Sequence, residues 1–224
     1  MANNGISKAT MSFLKDLKKN NDRAWFEKHR DRFEAAHEEF SQTAQGLIEQ
    51  IARLDPGIRP VSLKDSIFRI YRDVRFSRDK SPYKPHFSFF AARGGRKSKY
   101  AGYYVHLEPG SCFIGGGIYH PEPENLMKIR TAIAARGEEL RRIVQAVPFR
   151  KYYKGLEGDR LKNPPRQYAK DHPLAEFLCF KDFIASAKLK DTEVTGDLAG
   201  ACIMRFRALL PFNRWLSRAV DQDS

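Results

Sequence analysis

Cysteine is scarce in this chain. Cys112, Cys179 and Cys202 are odd in number, far apart and outside any C-x-x-C pair, which argues against a disulfide framework and against a thiolate zinc site. Long apolar runs are missing as well. No stretch approaches the roughly 18 apolar residues that span a bilayer. The start, Met1-Ala2-Asn3-Asn4-Gly5, lacks a charged region followed by an apolar one. These absences predict a soluble, unexported protein of the reducing cytoplasm. No internal repeat or low-complexity tract is found. Gly115-Gly116-Gly117 falls inside a predicted strand, so it fits neither a P-loop nor a dinucleotide fingerprint, and no cofactor is implied. Glycine in a strand points instead to a bulge, close packing, or a ligand lying on exposed backbone. The i, i+4 histidine pair of H-E-x-x-H is also lacking. His86, His106 and His120 lie in or beside predicted strands, but no metal ligand set is assigned from them.

What the chain does have is positive charge, and it is regional. The 224 residues carry 40 Lys and Arg against 27 Asp and Glu, a formal charge of +13. Residues 60–100 hold eleven cations against three acids and residues 149–172 seven against three, while the remaining blocks are close to neutral. A local excess points to a partner, where a uniform one would suggest only solubility. If the two segments lie side by side they form one cationic face, suited to phosphate-bearing ligands, nucleic acid or an acidic membrane surface.

Periodicity predicts an α+β fold, with a central, mostly antiparallel sheet of about four to five strands between N-terminal and C-terminal helices. The chain reads as a single domain over 1–224, with helices at about 10–55, the sheet at about 66–120 and a helical part at about 121–220. Thr10 or Ser12 caps a first short helix and Asn20-Asn21-Asp22 breaks it. One long helix then runs from Trp25 to Leu54, ended by Asp55-Pro56-Gly57. In Ile67–Phe76, Phe68, Ile70, Val74 and Phe76 alternate with Arg69, Tyr71, Asp73 and Arg75, the pattern of a half-buried strand broken only by Arg72. Further strands are expected at His86–Ala92, Tyr100–Glu108 and Cys112–Tyr119, with an edge strand at Phe183–Leu189. Helices are expected after Pro121 and again after Gly137. Asp171 caps a short one near 172–179, and a final helix from Leu198 is broken at Pro211. Residues 148–172 read as a long basic loop.

Residues 64–87 concentrate the chemistry. Arg69, Arg72, Arg75, Arg78, Lys80 and Lys84 can neutralise several phosphates, and arginine is favoured where an oxyanion is held in bidentate fashion. The plainer account is a solvated strand face whose Asp73 and Asp79 pair with neighbouring arginines. Arg72, on the apolar side, needs a partner, and Asp65, Glu108 and Asp182 are candidates. Ser77-Arg78-Asp79-Lys80-Ser81-Pro82 reads as a shaped turn; Ser77 has no identifiable base and no G-x-S-x-G setting. Tyr83 and His106 are expected to line the same cleft as the cations. Tyr71, Tyr83, Tyr100, Tyr103 and Tyr104 can stack bases, although core packing and strand propensity account for most of them equally well.

The runs N-N-D-R-A-W-F at 20–26, F-R-I-Y-R-D-V-R-F-S-R-D-K-S-P-Y-K-P-H-F, A-G-Y-Y-V-H-L-E-P-G leading to G-G-G-I-Y, L-K-N-P-P and K-D-H-P together resemble the bacterial and fungal family designated domain of unknown function 2461. The similarity extends from Phe13 to Asn213. It implies one intact α+β domain and assigns no catalytic residue. Ala24 stands where the family pattern has Glu, which weakens a capping pair there. The functional expectation is therefore the binding of an anionic, phosphate-bearing ligand, either nucleic acid or a nucleotide-like molecule. A phosphoester hydrolase using Asp73, Asp79 or His106 as acid or base, and a scaffold docking an acidic protein, are the alternatives.

Overall fold

The computed structural model describes residues 5–221. Helix α1 spans Lys8–Lys19, α2 Arg23–Lys28 and α3 Arg30–Leu54. The cap of α1 is Ser7, whose Oγ accepts from Thr10 N–H at 3.2 Å, rather than Thr10 or Ser12. Thr10 is instead buried, and its hydroxyl donates to Glu39 of α3. Asp22 caps α2 as expected, accepting from Trp25 N–H at 2.8 Å. The expected single long helix is interrupted at His29, whose backbone leaves helical geometry and whose ring stacks on Trp25 with centroids 4.2 Å apart. Beyond that break Ala36, Phe40, Ala44, Leu47, Ile48 and Ile51 form one buried stripe, and Asp55-Pro56-Gly57 ends it.

Strands β1 (Phe87–Ala91), β2 (Gly102–Leu107), β3 (Phe113–Ile118) and β4 (Phe183–Lys188) form one antiparallel sheet in that order. The register places Ser88 opposite His106, His106 opposite Phe113, and Gly115 opposite Ser186. One face packs on helices: Phe40 of α3 lies 5.1 Å from Phe87, and Tyr103 lies 5.1 Å from Phe206 of the terminal helix α9 (Leu198–Asp221). Helix α9 sits unusually close to β3. A Cβ on Gly116 would fall 2.3 Å from the Gly102 carbonyl oxygen and 2.6 Å from Leu209, so glycine is required there. In that space Asn213 donates to the same buried carbonyl at 2.8 Å. The expected break at Pro211 does not occur. Pro211 lies on the exposed side of α9, where a missing N–H is least costly, while Leu209, Phe212, Trp215 and Leu216 continue the buried face through it.

A short helix α4 (Leu63–Ser66) precedes the sheet. The helix α5 (Pro123–Gln145) is kinked at Arg136, beside the Gly137 that marked the expected separation. Short helices α6 (Val147–Arg150), α7 (Ala175–Leu178) and α8 (Asp191–Thr195) complete the chain; α7 begins after Leu174 without a side-chain cap, so Asp171 does not cap it. Cys112 and Cys202 are buried and all three thiols are unpaired.

The clearest departure is Ile67–Phe76, which is not a strand. Isolated bridges join Ile67 to Phe89 and Tyr71 to Tyr83, and the chain between is irregular. The facing segment explains why: Pro82 and Pro85 have no N–H to donate, so a continuous ladder cannot form. Ile70 is buried as expected, but Phe76, read as a core residue, is 96 % exposed.

Candidate site on the outer face of the sheet

Alternation along β2 turns Tyr103, Val105 and Leu107 toward the helices and therefore turns Tyr104, His106 and Glu108 to the opposite, outer face. His86, just before β1, and Phe113 of β3 join them. The His106 ring stacks on Phe113 at 4.7 Å and lies 4.1 Å from the His86 ring. Its Nδ1 is 3.1 Å from the Tyr104 hydroxyl and its Nε2 3.3 Å from Glu108 Oε2. Lys18 of α1 donates to the other Glu108 oxygen at 2.7 Å. Burial, with a smaller contribution from the facing His106, lowers His86 to about 4. Burial also lowers His106, against the raising pull of Glu108. For Glu108 burial acts upward, but Lys18 and His106 together outweigh it and hold the carboxyl below its usual range.

Next to this group stands Phe68, set edge-on to Tyr104 at 6.1 Å, with backbone N–H donating to Ser88 carbonyl oxygen at 3.0 Å. The Lys84 ammonium lies 5.6 Å and the Arg96 guanidinium 5.5 Å from the centre of its ring. Burial lowers the Lys84 ammonium, and the positive charges of Arg69 and Arg96 lower it further. Among the described residues no carboxylate lies within ion-pair distance of Arg69, Lys84 or Arg96. Two cations, Lys84 and Arg96, therefore flank one aromatic ring without an ion-pair partner, and the charge of Arg69 acts on Lys84 beside them.

The rest of the basic run is arranged differently. Arg72 pairs with Asp79, and its second nitrogen reaches the Ser77 hydroxyl at 3.4 Å; Asp65, Glu108 and Asp182 are not its partners. Arg75 holds Asp73 through bonds of 3.0 and 2.7 Å. Lys80 donates to the Val74 carbonyl at 3.0 Å, and Arg78 projects into solvent. Hydrogen bonding from Arg75 holds the Asp73 carboxyl at about 2, and bonds from Ser81 and then Arg72 hold Asp79 lower still. Carboxylates so stabilised are weak bases. Tyr83 is buried, stacked on Phe26 at 4.0 Å, with its backbone N–H and C=O both bonded to the Asn21 side chain at 3.0 and 2.9 Å. It supports the site from below and does not line it. His120 stands apart, 3.1 Å from Asp182.

Of the residues nominated from sequence, Arg69, Lys84 and His106 come together on the outer face; Arg72, Arg75, Arg78 and Lys80 belong to the outlying turn. Arg96, Phe68, His86 and Glu108 complete the face. Arg96 had a signal, since it lies in the basic block, but it read as a turn residue; Phe68 read as core. The two basic segments do not form one edge. The 67–72 segment bridges to β1, whereas Glu157 and Arg160 bridge to β4 and to Phe180 just before it, with β2 and β3 between. Two clefts of about 1180 and about 740 Å³ lie elsewhere, the first between α5, α6 and α9 and the second around Asp55, Tyr100 and Arg214. Of the residues nominated from sequence only Tyr100, a candidate for base stacking, lines one of them, the second; none of the nominated cations, acids or histidines lines either.

No curated protein and no solved structure matches the chain. A family model does, over residues 9–215, which is nearly the whole length. It brings the motif around Asn21 and Phe26, the Tyr83 segment and the outer face of β2 within one match, and the chain belongs to the conserved hypothetical protein family DUF2461.

Proposed function

We propose that the protein binds a phosphate-bearing, nucleotide-like ligand on the outer face of its sheet, with the anion at Arg69, Lys84 and Arg96 and a planar group against Phe68 and Tyr104. The observation that carries this reading is the pair Lys84 and Arg96 against Phe68, with Arg69 acting on Lys84 and no ion-pair carboxylate for any of the three among the described residues. Like charges held together in a half-buried setting repel one another, and an oxyanion relieves the repulsion while accepting charge-assisted hydrogen bonds. The aromatic ring beneath supplies a surface for a base or similar group. Binding is favoured over phosphoester hydrolysis by Asp73 or Asp79, because both carboxylates are engaged by arginine. The outlying turn, with Arg72, Arg75, Arg78 and Lys80, contributes long-range attraction to this site rather than contacts.

Calorimetric titration with ATP and fluorescence anisotropy with a labelled single-stranded RNA test the reading. Each is run at two salt concentrations on the wild type and on Lys84→Ala and Arg96→Ala. Charged hydrogen bonds contribute about 1.5–3 kcal/mol, so each substitution is expected to weaken binding roughly 10- to 100-fold. With three cations neutralising phosphates, the RNA affinity is expected to fall with a log–log salt slope of about −2. Absence of binding by both probes at low salt, or wild-type affinity in both variants, contradicts the assignment.

A further inference from the structure

We infer that His86, His106 and Glu108 form a binding site for a divalent transition-metal ion of the zinc class. One potential ligand atom from each residue lies within 4.8 Å of the other two, on a sheet face where the backbone already fixes their directions. His106 and Glu108 are two residues apart on β2 and so share a face; His86 enters from the neighbouring edge. Two imidazoles and one carboxylate suit a borderline-soft cation and suit Mg²⁺ or Ca²⁺ poorly.

The separation of one pair in the group matches that of two ligand atoms on an ion, with His86 completing the set by a small side-chain movement. The His106 Nε2 to Glu108 Oε2 distance of 3.3 Å is long for a charge-assisted hydrogen bond, which is about 2.7–2.9 Å. It is close to the roughly 3.4 Å that separates two ligand atoms on a tetrahedral ion with bonds of about 2.1 Å. The facing of the two imidazole rings at 4.1 Å is an arrangement that two imidazolium ions would oppose and a shared cation would hold. Supporting contacts of the kind that orient metal ligands are also present. In the tautomer with Nδ1 protonated, His106 Nδ1–H donates to the Tyr104 hydroxyl across their 3.1 Å separation, and the Nε2 lone pair is left for the ion. Lys18 holds Glu108 Oε1 and leaves Oε2 free, and Phe113 fixes the imidazole plane. Three protein ligands leave a coordination position for water or an oxyanion.

This inference does not depend on the anion reading, because the ligands are separate from Arg69, Lys84 and Arg96. The test uses the full-length chain, stripped with chelator and titrated with Co²⁺ in phosphate-free buffer. Absorbance reports coordination, and Zn²⁺ competition and calorimetry give stoichiometry. One ion per chain is expected, with the visible bands of a low-coordinate cobalt site. His106→Gln and Glu108→Gln are expected to weaken binding on the order of 100-fold, and His120→Gln to leave it unchanged. Circular dichroism checks that each variant is folded, and the wild-type titration decides the matter if a variant is not. No saturable uptake by the wild type, or equal uptake by folded His106→Gln and Glu108→Gln, overturns the site. Failure there leaves the ATP and RNA titrations, and their Lys84 and Arg96 variants, unaffected.

Discussion

At the residue scale, the outer face is a place where burial works against charge. His86 titrates at about 4 in the folded chain, against about 6.5 for an unperturbed imidazole. The unfolded chain therefore binds the extra proton first as pH falls. The stability associated with a neutral His86 is complete above about pH 6.5 and is lost progressively toward pH 4. The groups facing it, His106, Lys84 and Glu108, act in the same window: the first two oppose a proton on His86 and Glu108 favours one. Melting temperatures measured from pH 7 to pH 5 are expected to fall, and His86→Gln to flatten that slope. An identical slope in the variant would contradict the assignment. His37, also lowered by burial, accounts for part of what remains.

At the element scale, the segment between α4 and β1 decides where chemistry can occur. Its alternation of apolar and charged residues read as a strand, and period alone gave no reason to doubt it. Prolines on the facing chain, at 82 and 85, were visible in the sequence, but their effect depends on which segment faces which, a long-range fact. The strands β1 to β3 were legible because they are short aromatic or β-branched runs closed by Gly-rich and Pro-Gly turns, and β4 as an edge strand read at 183–189. The cation set was half legible: Arg69 and Lys84 stand in the conspicuous run, whereas Arg96 arrives through the loop after β1, where Arg96 N–H donates to Asp65 carbonyl oxygen at 3.0 Å. The tip of the segment offers a direct check. A core Phe replaced by a small residue costs about 3–5 kcal/mol, whereas an exposed one changes stability by less than about 0.5 kcal/mol. Phe76→Ser is expected to fall in the second class by urea denaturation, given its 96 % exposure. A loss of several kcal/mol would restore the strand reading.

At the scale of the whole molecule, the charge of +13 resolves into two attachments at opposite sheet edges. In the first, the cations of the 72–80 turn are paired or solvated, while Lys84 and Arg96 beside Phe68, and Arg69 acting on Lys84, have no ion-pair partner among the described residues. No described helix is long and apolar enough to cross a membrane. Helices at both ends of the chain cover the inner face of the sheet with a large aromatic core, and the outer face sets Phe68, Tyr104 and Phe113 among charged and histidine side chains. One face stabilises the fold, and the other is the proposed seat of an anion. Backbone amide chemical shifts, recorded while pyrophosphate is added at fixed pH and ionic strength, locate that anion directly. Saturable shifts at residues 68–69, 84, 86–88, 96 and 104 are the predicted result. Shifts confined to 72–80, or none that saturate, would contradict it.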